Sequence, residues 1–222
     1  MSHTSRLLDV QDICFAQDGT LLLAPVSLTL NIGEFILLTG PSGSGKSTLL
    51  KIIASLLEPS GGEVIFKGQP VSSIKPESYR QQVSWCVQTP ALFGDTVYDN
   101  LALPWKIRQK KVDVAVLKHW LKQVNLPETM LDKKIEQLSG GEKQRVALLR
   151  NLQFLPDVLL LDEITSALDA ENKQLIHQLI AGLVKEQGVA VLWISHDSAE
   201  MSQAPRVITL PLPDGRAKNE SA

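Results

Sequence analysis

Gly40-Pro41-Ser42-Gly43-Ser44-Gly45-Lys46-Ser47, entered from Phe35-Ile36-Leu37-Leu38 and left through Thr48-Leu49-Leu50-Lys51-Ile52-Ile53, decides how this chain folds. The apolar run before it reads as a strand, and the spacing after it reads as a helix. Strand, glycine loop and helix are the context that the phosphate-binding pattern G-x-x-x-x-G-K-[ST] requires. The glycines let backbone N–H groups converge on phosphate oxygens without Cβ clashes. The helix N-terminus adds the positive end of its dipole. Lys46 can reach β- and γ-phosphates, and the Ser47 hydroxyl can ligate Mg²⁺, with Thr48 next in line. A nucleotide with Mg²⁺ is the expected ligand; the loop alone does not say which of many nucleotide machines this is.

The 222 residues suffice for one large domain with a real core. A net charge of −2 gives no global field to recruit nucleic acid or an anionic surface. The two cysteines, Cys14 and Cys86, lie far apart in apolar stretches and read as reduced core thiols. No apolar run approaches the ~18–20 residues that span a bilayer. The first residues lack the layout of a signal peptide. A soluble protein is expected, so a membrane role would need a partner.

Along the chain, Leu7 to Phe15 and Leu21 to Leu30 read as strands around an Asp18-Gly19 turn. A short strand is expected over 63–66 and another over 83–87. Residues 96–154 read as a helical insertion, with Val114, Leu117, Leu121 and Val124 on one face and turns at Pro104 and Leu126-Pro127. The C-terminal third alternates strand (158–161), helix (170–186) and strand (189–194), the signature of a parallel sheet with crossover helices. Residues 211–222 read as a flexible tail. The expected fold is thus α/β: a mainly parallel core built from about 7–95 and 155–210, with an N-terminal antiparallel β part and the helical insertion, all within a single domain.

Runs buried on both faces end in polar groups: Leu38 in the glycine loop, Leu161 in Asp162-Glu163, and Ile194 in Ser195-His196-Asp197. The mixed run from Val83 ends at Gln88. Ligands of open α/β sheets bind beyond the carboxyl ends of the strands, so these groups are expected to gather at the γ-phosphate. Asp162 suits Mg²⁺ as a hard oxygen ligand. Glu163 suits a base that polarises water. His196 can orient that water or donate to the phosphate. Gln88 can bridge metal or water. His3, His119 and His177 read as surface residues.

Leu138-Ser139-Gly140-Gly141-Glu142-Lys143-Gln144-Arg145 is a second anion signal. Ser139-x-x-Glu142 is a capping box, and the two glycines expose N–H groups at a helix N-terminus. It lies nearly a hundred residues from the first, and one ATP hardly needs both from the same chain.

The string resembles the signature of the ABC-type ATPases, with Glu142 in place of the usual glutamine. The order of the chain is also similar to that family: phosphate loop (40–47), glutamine loop (Gln88), signature (138–142), acidic motif (158–163), D-loop (Ser166-Ala167-Leu168-Asp169) and histidine switch (His196). Phe15 falls 25 residues before Gly40, where the family places an adenine-stacking aromatic.

The resemblance implies a head-to-tail dimer with two ATPs, each phosphate loop facing the other copy's Ser139, Gly140 and Gly141, with Asp169 at the same interface. It implies a separately encoded permease in the bacterial inner membrane, docked on its cytoplasmic face near Thr89–Asn100 and the insertion. The basic cluster Lys106, Arg108, Lys110 and Lys111 reads as a solvated loop ahead of a lipid-facing one. Tyr79 to Ser84, Thr89 to Asn100 and Arg150 to Phe154 resemble one group within the family, the ATPase subunits of bacterial iron exporters. Iron or metal-ion export rests on that resemblance alone. The alternatives are lipoprotein-release, cell-division or lipid-trafficking complexes, an ABC ATPase acting on DNA or ribosomes, and a small-molecule kinase, which would have no use for the signature.

Overall fold

A computed structural model describes residues 6–213; His3 and the expected tail from 214 onward lie outside the described residues. In chain order the elements are β1 (Arg6–Gln17), β2 (Thr20–Asn31), β3 (Phe35–Thr39), α1 (Lys46–Ile53), β4 (Gly61–Phe66), β5 (Gln69–Pro70), α2 (Pro76–Arg80) and β6 (Val83–Cys86). There follow α3 (Val97–Ile107), α4 (Val114–Gln123), α5 (Gly140–Leu152), β7 (Val158–Asp162), α6 (Ala170–Gln187), β8 (Ala190–Ile194), α7 (Ser198–Gln203) and β9 (Val207–Thr209). Contacts divide the chain into two compact units. Among the described residues, the first holds 6–85, 157–162 and 188–213, and the second 86–156 and 163–187.

The first unit carries an antiparallel sheet, β2-β1-β4-β5, and supplies nearly all of a second sheet of order β6-β7-β8-β3-β9. β1 and β2 form a hairpin across Asp18 and Gly19, both left-handed at φ 50° and 76°. That is the turn whose twist matches two paired strands. In the larger sheet β3, β7, β8 and β9 run parallel, as the strand–helix alternation requires. β7 and β8 are buried along their whole length, which is why they read as unbroken apolar runs. Leu8, Leu38, Leu49, Ile53, Tyr79, Leu160 and Leu192 belong to one core cluster. Within it the Tyr79 hydroxyl donates to the Ile53 carbonyl at 2.6 Å, giving the buried phenol its partner.

In the second unit α3 starts at a capping box in which Thr96 and Asp99 exchange bonds. Buried Asn100 holds the segment before it, donating to the carbonyls of Phe93 and Thr96 and accepting from Phe93 N and Arg150. Leu117, Leu121 and Val124 are buried as their spacing predicts.

Several local expectations are corrected. Pro104 does not end a helix but sits inside α3; its missing N–H forfeits the one ladder bond to the Asn100 carbonyl, and the Arg108 guanidinium donates to Pro104's own carbonyl, in the last turn, at 3.3 Å. Val114 is 42% exposed, being the first residue of α4, where the face has not yet turned inward. Cys14 is half-buried; Cys86 is fully in the core.

Candidate functional site

The loop from Gly40 to Ser47 is cradle-shaped because its glycines take backbone that other residues resist: φ is 142° at Gly40, 79° at Gly43 and 88° at Gly45. Close approach adds to this at both ends. A Cβ on Gly40 would lie 2.5 Å from the Leu210 carbonyl oxygen, and one on Gly45 would lie 2.6 Å from that of Leu22. Gly45 is also the N-cap residue of α1, with no side chain over the helix end. The Ser44 hydroxyl is buried in the loop with no hydrogen-bond partner, a group that costs free energy until something polar arrives. The Lys46 ammonium donates to the carbonyls of Gly40 and Pro41 at 2.8 and 3.0 Å. An anion-accepting loop with a buried cation at its centre fits a nucleotide's phosphates.

Strand register brings further groups to the same sheet end. Asp162 pairs with Ile194, and Leu38 with Ile194 from the other side. The carboxyl ends of β3, β7 and β8 are therefore level, and the residues that follow them leave the sheet together. Ser47 Oγ donates to Asp162 Oδ1 at 3.2 Å. Two hard oxygens side by side, one a buried carboxylate, fit a small divalent cation such as Mg²⁺. His196 is exposed beyond β8, between buried Ser195 and half-buried Asp197. Asp197 caps α7 by accepting from Ala199 N and Glu200 N. Phe15 lies on β1 opposite Leu23, partly buried, with its ring packed on the core cluster.

The second unit holds the other residues. Gln88 Nε2 donates to Glu163 Oε2 at 2.6 Å, so the residue read as bridging metal or water is bound to the one read as polarising water. Glu163 adopts φ 49°, a left-handed backbone that a side-chain-bearing residue holds at a cost. Nothing in the sequence signals that strain.

At α5 the capping box is complete. Ser139 Oγ accepts from Glu142 N at 3.2 Å, and Glu142 Oε2 accepts from Ser139 N at 2.7 Å. The N–H groups of Gly140 and Gly141 belong to the first helical turn and have no intrahelical acceptor. A Cβ on Gly140 would meet open space, whereas one on Gly141 would come within 3.1 Å of Leu168 and 3.2 Å of the Ala167 carbonyl. The segment Ser166 to Asp169 thus packs on Gly141.

Asp169 is occupied structurally: it accepts from Asn172 N at 2.8 Å and from the Asn172 side-chain amide. These bonds, the backbone one foremost, hold its carboxyl below the usual carboxylate range. Arg145 ties the two segments together. Its guanidinium donates to Asn172 Oδ1 at 2.7 Å and to the carbonyls of Val124, Asn125 and Gly141. Sequence reasoning missed Arg145, whose only signal is its place one helical turn after Gly141.

A family model described as ABC transporter matches residues 23–166. The "Probable iron export ATP-binding protein FetA" of Escherichia coli (strain K12) is 54% identical over 210 residues, covering 95% of this chain and 93% of that protein. The "Spermidine/putrescine import ATP-binding protein PotA" of Spiroplasma citri is 38% identical over 93% of this chain, which spans 59% of its length. Among solved structures, the dimeric ATP-binding cassette MJ0796 in a post-hydrolysis state with ADP and Pi superposes with a TM-score of 0.83 at 30% identity, covering 92% of this chain and 94% of that one. A bacterial Atm1-family ABC exporter with ATP bound gives 0.85 at 25% identity, covering 95% of this chain and 39% of that one.

Proposed function

This chain belongs to the ABC transporter family as an ATP-hydrolysing cassette, and from that premise we propose that two copies close head to tail around two ATPs to drive a separate membrane permease. The single observation that carries the dimer is the pair of unengaged N–H groups at Gly140 and Gly141. They form an anion site that one chain with one phosphate loop does not need, and the similar MJ0796 cassette is dimeric.

Each residue then has a task. Phe15 stacks on adenine. The backbone from Gly40 to Gly45 with Lys46, Ser47 and Thr48 cradles the phosphates. Ser47 and Asp162, with Gln88, would hold Mg²⁺, which neutralises charge on the phosphate oxygens when bound. Glu163 polarises the attacking water once Gln88 lets go of its carboxylate, and His196 orients that water. Ser139, Gly140 and Gly141 of the other copy close over the γ-phosphate, with Asp169 beside them. The whole chain acts as one ATPase domain, with the core segments and the 96–154 helical part moving as the dimer opens.

Among the described residues no helix is long and apolar enough to cross a membrane. In this reading the permease is a separately encoded chain, and this one docks at the cytoplasmic face of the bacterial inner membrane. The 54% identity to an iron export protein favours iron or another metal ion as cargo.

Glu163→Gln tests the reading. ATP binding should persist, hydrolysis should fall at least about 100-fold, and ATP should convert the variant to a dimer on size-exclusion chromatography. Wild-type turnover would remove Glu163 as the base, and a monomer at saturating ATP would remove the sandwich. Co-purification of a polytopic membrane protein encoded beside this chain tests the partner, and metal transport into vesicles with that protein tests the cargo.

A further inference from the structure

Glu142 places a carboxylate in the first turn of α5, at the N-terminus offered to phosphate. Such a charge stabilises the helix itself. It also repels a second anion arriving at the same amides. The carboxylate is ionised near neutral pH. Partial burial works against ionisation, but the Ser139 N–H and the Lys133 ammonium outweigh it and hold the carboxyl below its ordinary range.

Lys133 sits over this carboxylate with Nζ 3.1 and 3.2 Å from the two oxygens. The pair is partly sheltered, the side chains being 32% and 19% exposed. The lysine is also anchored at its backbone: its N–H donates to the Met130 carbonyl at 3.0 Å, and its own carbonyl accepts from Val97 N at 3.1 Å. A surface pair of this kind contributes little to folding, so stability gives poor reason for the arrangement. Arg145 also interacts electrostatically with Glu142, but its guanidinium is committed to carbonyl oxygens and Asn172.

We propose that Lys133 is a positioning residue that cancels the charge of Glu142 and so keeps the Gly140 and Gly141 amides receptive to the γ-phosphate of the ATP held by the other copy. The inference rests on the sandwich dimer and adds a residue that this chain needs because its signature ends in glutamate. A signature ending in glutamine would have no use for it.

The test is a mutant cycle in the dimer-trapping Glu163→Gln protein, full chain, with ATP-driven dimerisation read by light scattering. Lys133→Met keeps the aliphatic stem and removes the charge. It should raise the ATP concentration for half-dimerisation about tenfold at low salt, as expected for one unscreened like charge near the ligand, and less than about threefold at 0.5 M NaCl, where the Debye length shrinks to a few ångström. Lys133→Arg should restore the original value. With Glu142→Gln also present, Lys133→Met should change it less than about twofold, since no charge remains to cancel.

A tenfold loss that persists with Glu142→Gln, or that ignores salt, would make Lys133 merely structural and overturn the proposal. So would an unchanged Lys133→Met. Binding of a fluorescent ATP analogue to dilute monomer should be equal in all variants; a loss there would mean Lys133 acts on its own chain's pocket and would equally overturn it. If Glu163→Gln with Lys133 intact fails to dimerise, the sandwich itself has failed and the inference falls with it.

Discussion

Gly45→Ala is the sharpest probe of the phosphate loop, because Gly19→Ala provides its control. Both glycines are left-handed, at φ 88° and 76°, but a Cβ on Gly19 would meet nothing within 4 Å. A Cβ on Gly45 would meet the Leu22 carbonyl oxygen at 2.6 Å and the Leu23 side chain at 2.9 Å. The control therefore measures backbone strain alone, about 1–2 kcal/mol for an L-residue held left-handed. Gly45→Ala should add about 1–3 kcal/mol for a contact that only backbone movement relieves, for a total of about 2–5 kcal/mol. Because Gly45 is the residue from which α1 starts, that movement carries the phosphate-facing N–H groups with it. ATP affinity should fall at least about 100-fold, about 2.7 kcal/mol, while Gly19→Ala binds normally. Urea unfolding without nucleotide gives the stabilities, and equilibrium titration with a fluorescent nucleotide gives the affinities. If Gly45→Ala is no less stable than Gly19→Ala, or binds ATP within threefold of the parent, the close-approach argument is wrong.

Arg145→Met should destabilise the protein by about 2–4 kcal/mol by leaving the buried Val124 carbonyl without its donor; urea unfolding checks it, and a loss below about 0.5 kcal/mol would refute it. Thiol labelling at pH 8 should modify Cys14 and spare Cys86, whose thiol burial pushes up to about 12; Cys86 should react only after denaturant is added, and two equally fast thiols would contradict the packing. Asp169 and Glu142 both have depressed carboxyl pKa values, so their contributions are present above the ordinary range near pH about 4 and are lost as pH falls through the lower folded values. Asp169→Asn and Glu142→Gln should therefore flatten the acid limb of a stability–pH curve below about pH 4, and an unchanged limb would refute the stabilising hydrogen bonds assigned to both carboxylates.

The sequence made the larger sheet legible where burial is two-sided. β7 and β8 are apolar at every position before their polar ends, and no other element type fits runs that short. The capping box at Ser139 and Glu142 was legible for a local reason: both partners lie within one helical turn. What was not legible depends on distant chain. β9 has three residues and becomes a strand only by pairing with β3, and the Leu210 carbonyl just after it forces glycine at position 40. Asn100 looks like an ordinary polar helix residue until Phe93 and Arg150 are placed around it. The left-handed backbone of Glu163 has no sequence signature either, since glycine would signal it and a glutamate conceals it.

The two anion sites meet a common problem, donors without acceptors, in opposite ways. The phosphate loop satisfies its cation from within, Lys46 resting on the carbonyls of Gly40 and Pro41, so the loop can wait for nucleotide with its charge engaged. The α5 terminus satisfies Ser139 N–H by means of the Glu142 carboxylate and Glu142 N–H by means of the Ser139 hydroxyl. That leaves the two glycine amides between them outside the capping box and adds a negative charge that Lys133 Nζ meets at 3.1 Å. Water serves exposed amides adequately, so the folded chain gains little from a better internal cap. A phosphate serves them better, because it meets the helix dipole as well as two N–H groups. In the proposed dimer, the free-energy difference between water and phosphate at Gly140 and Gly141 would become available only when ATP on another copy arrives, which would make ATP a condition of association rather than a passenger.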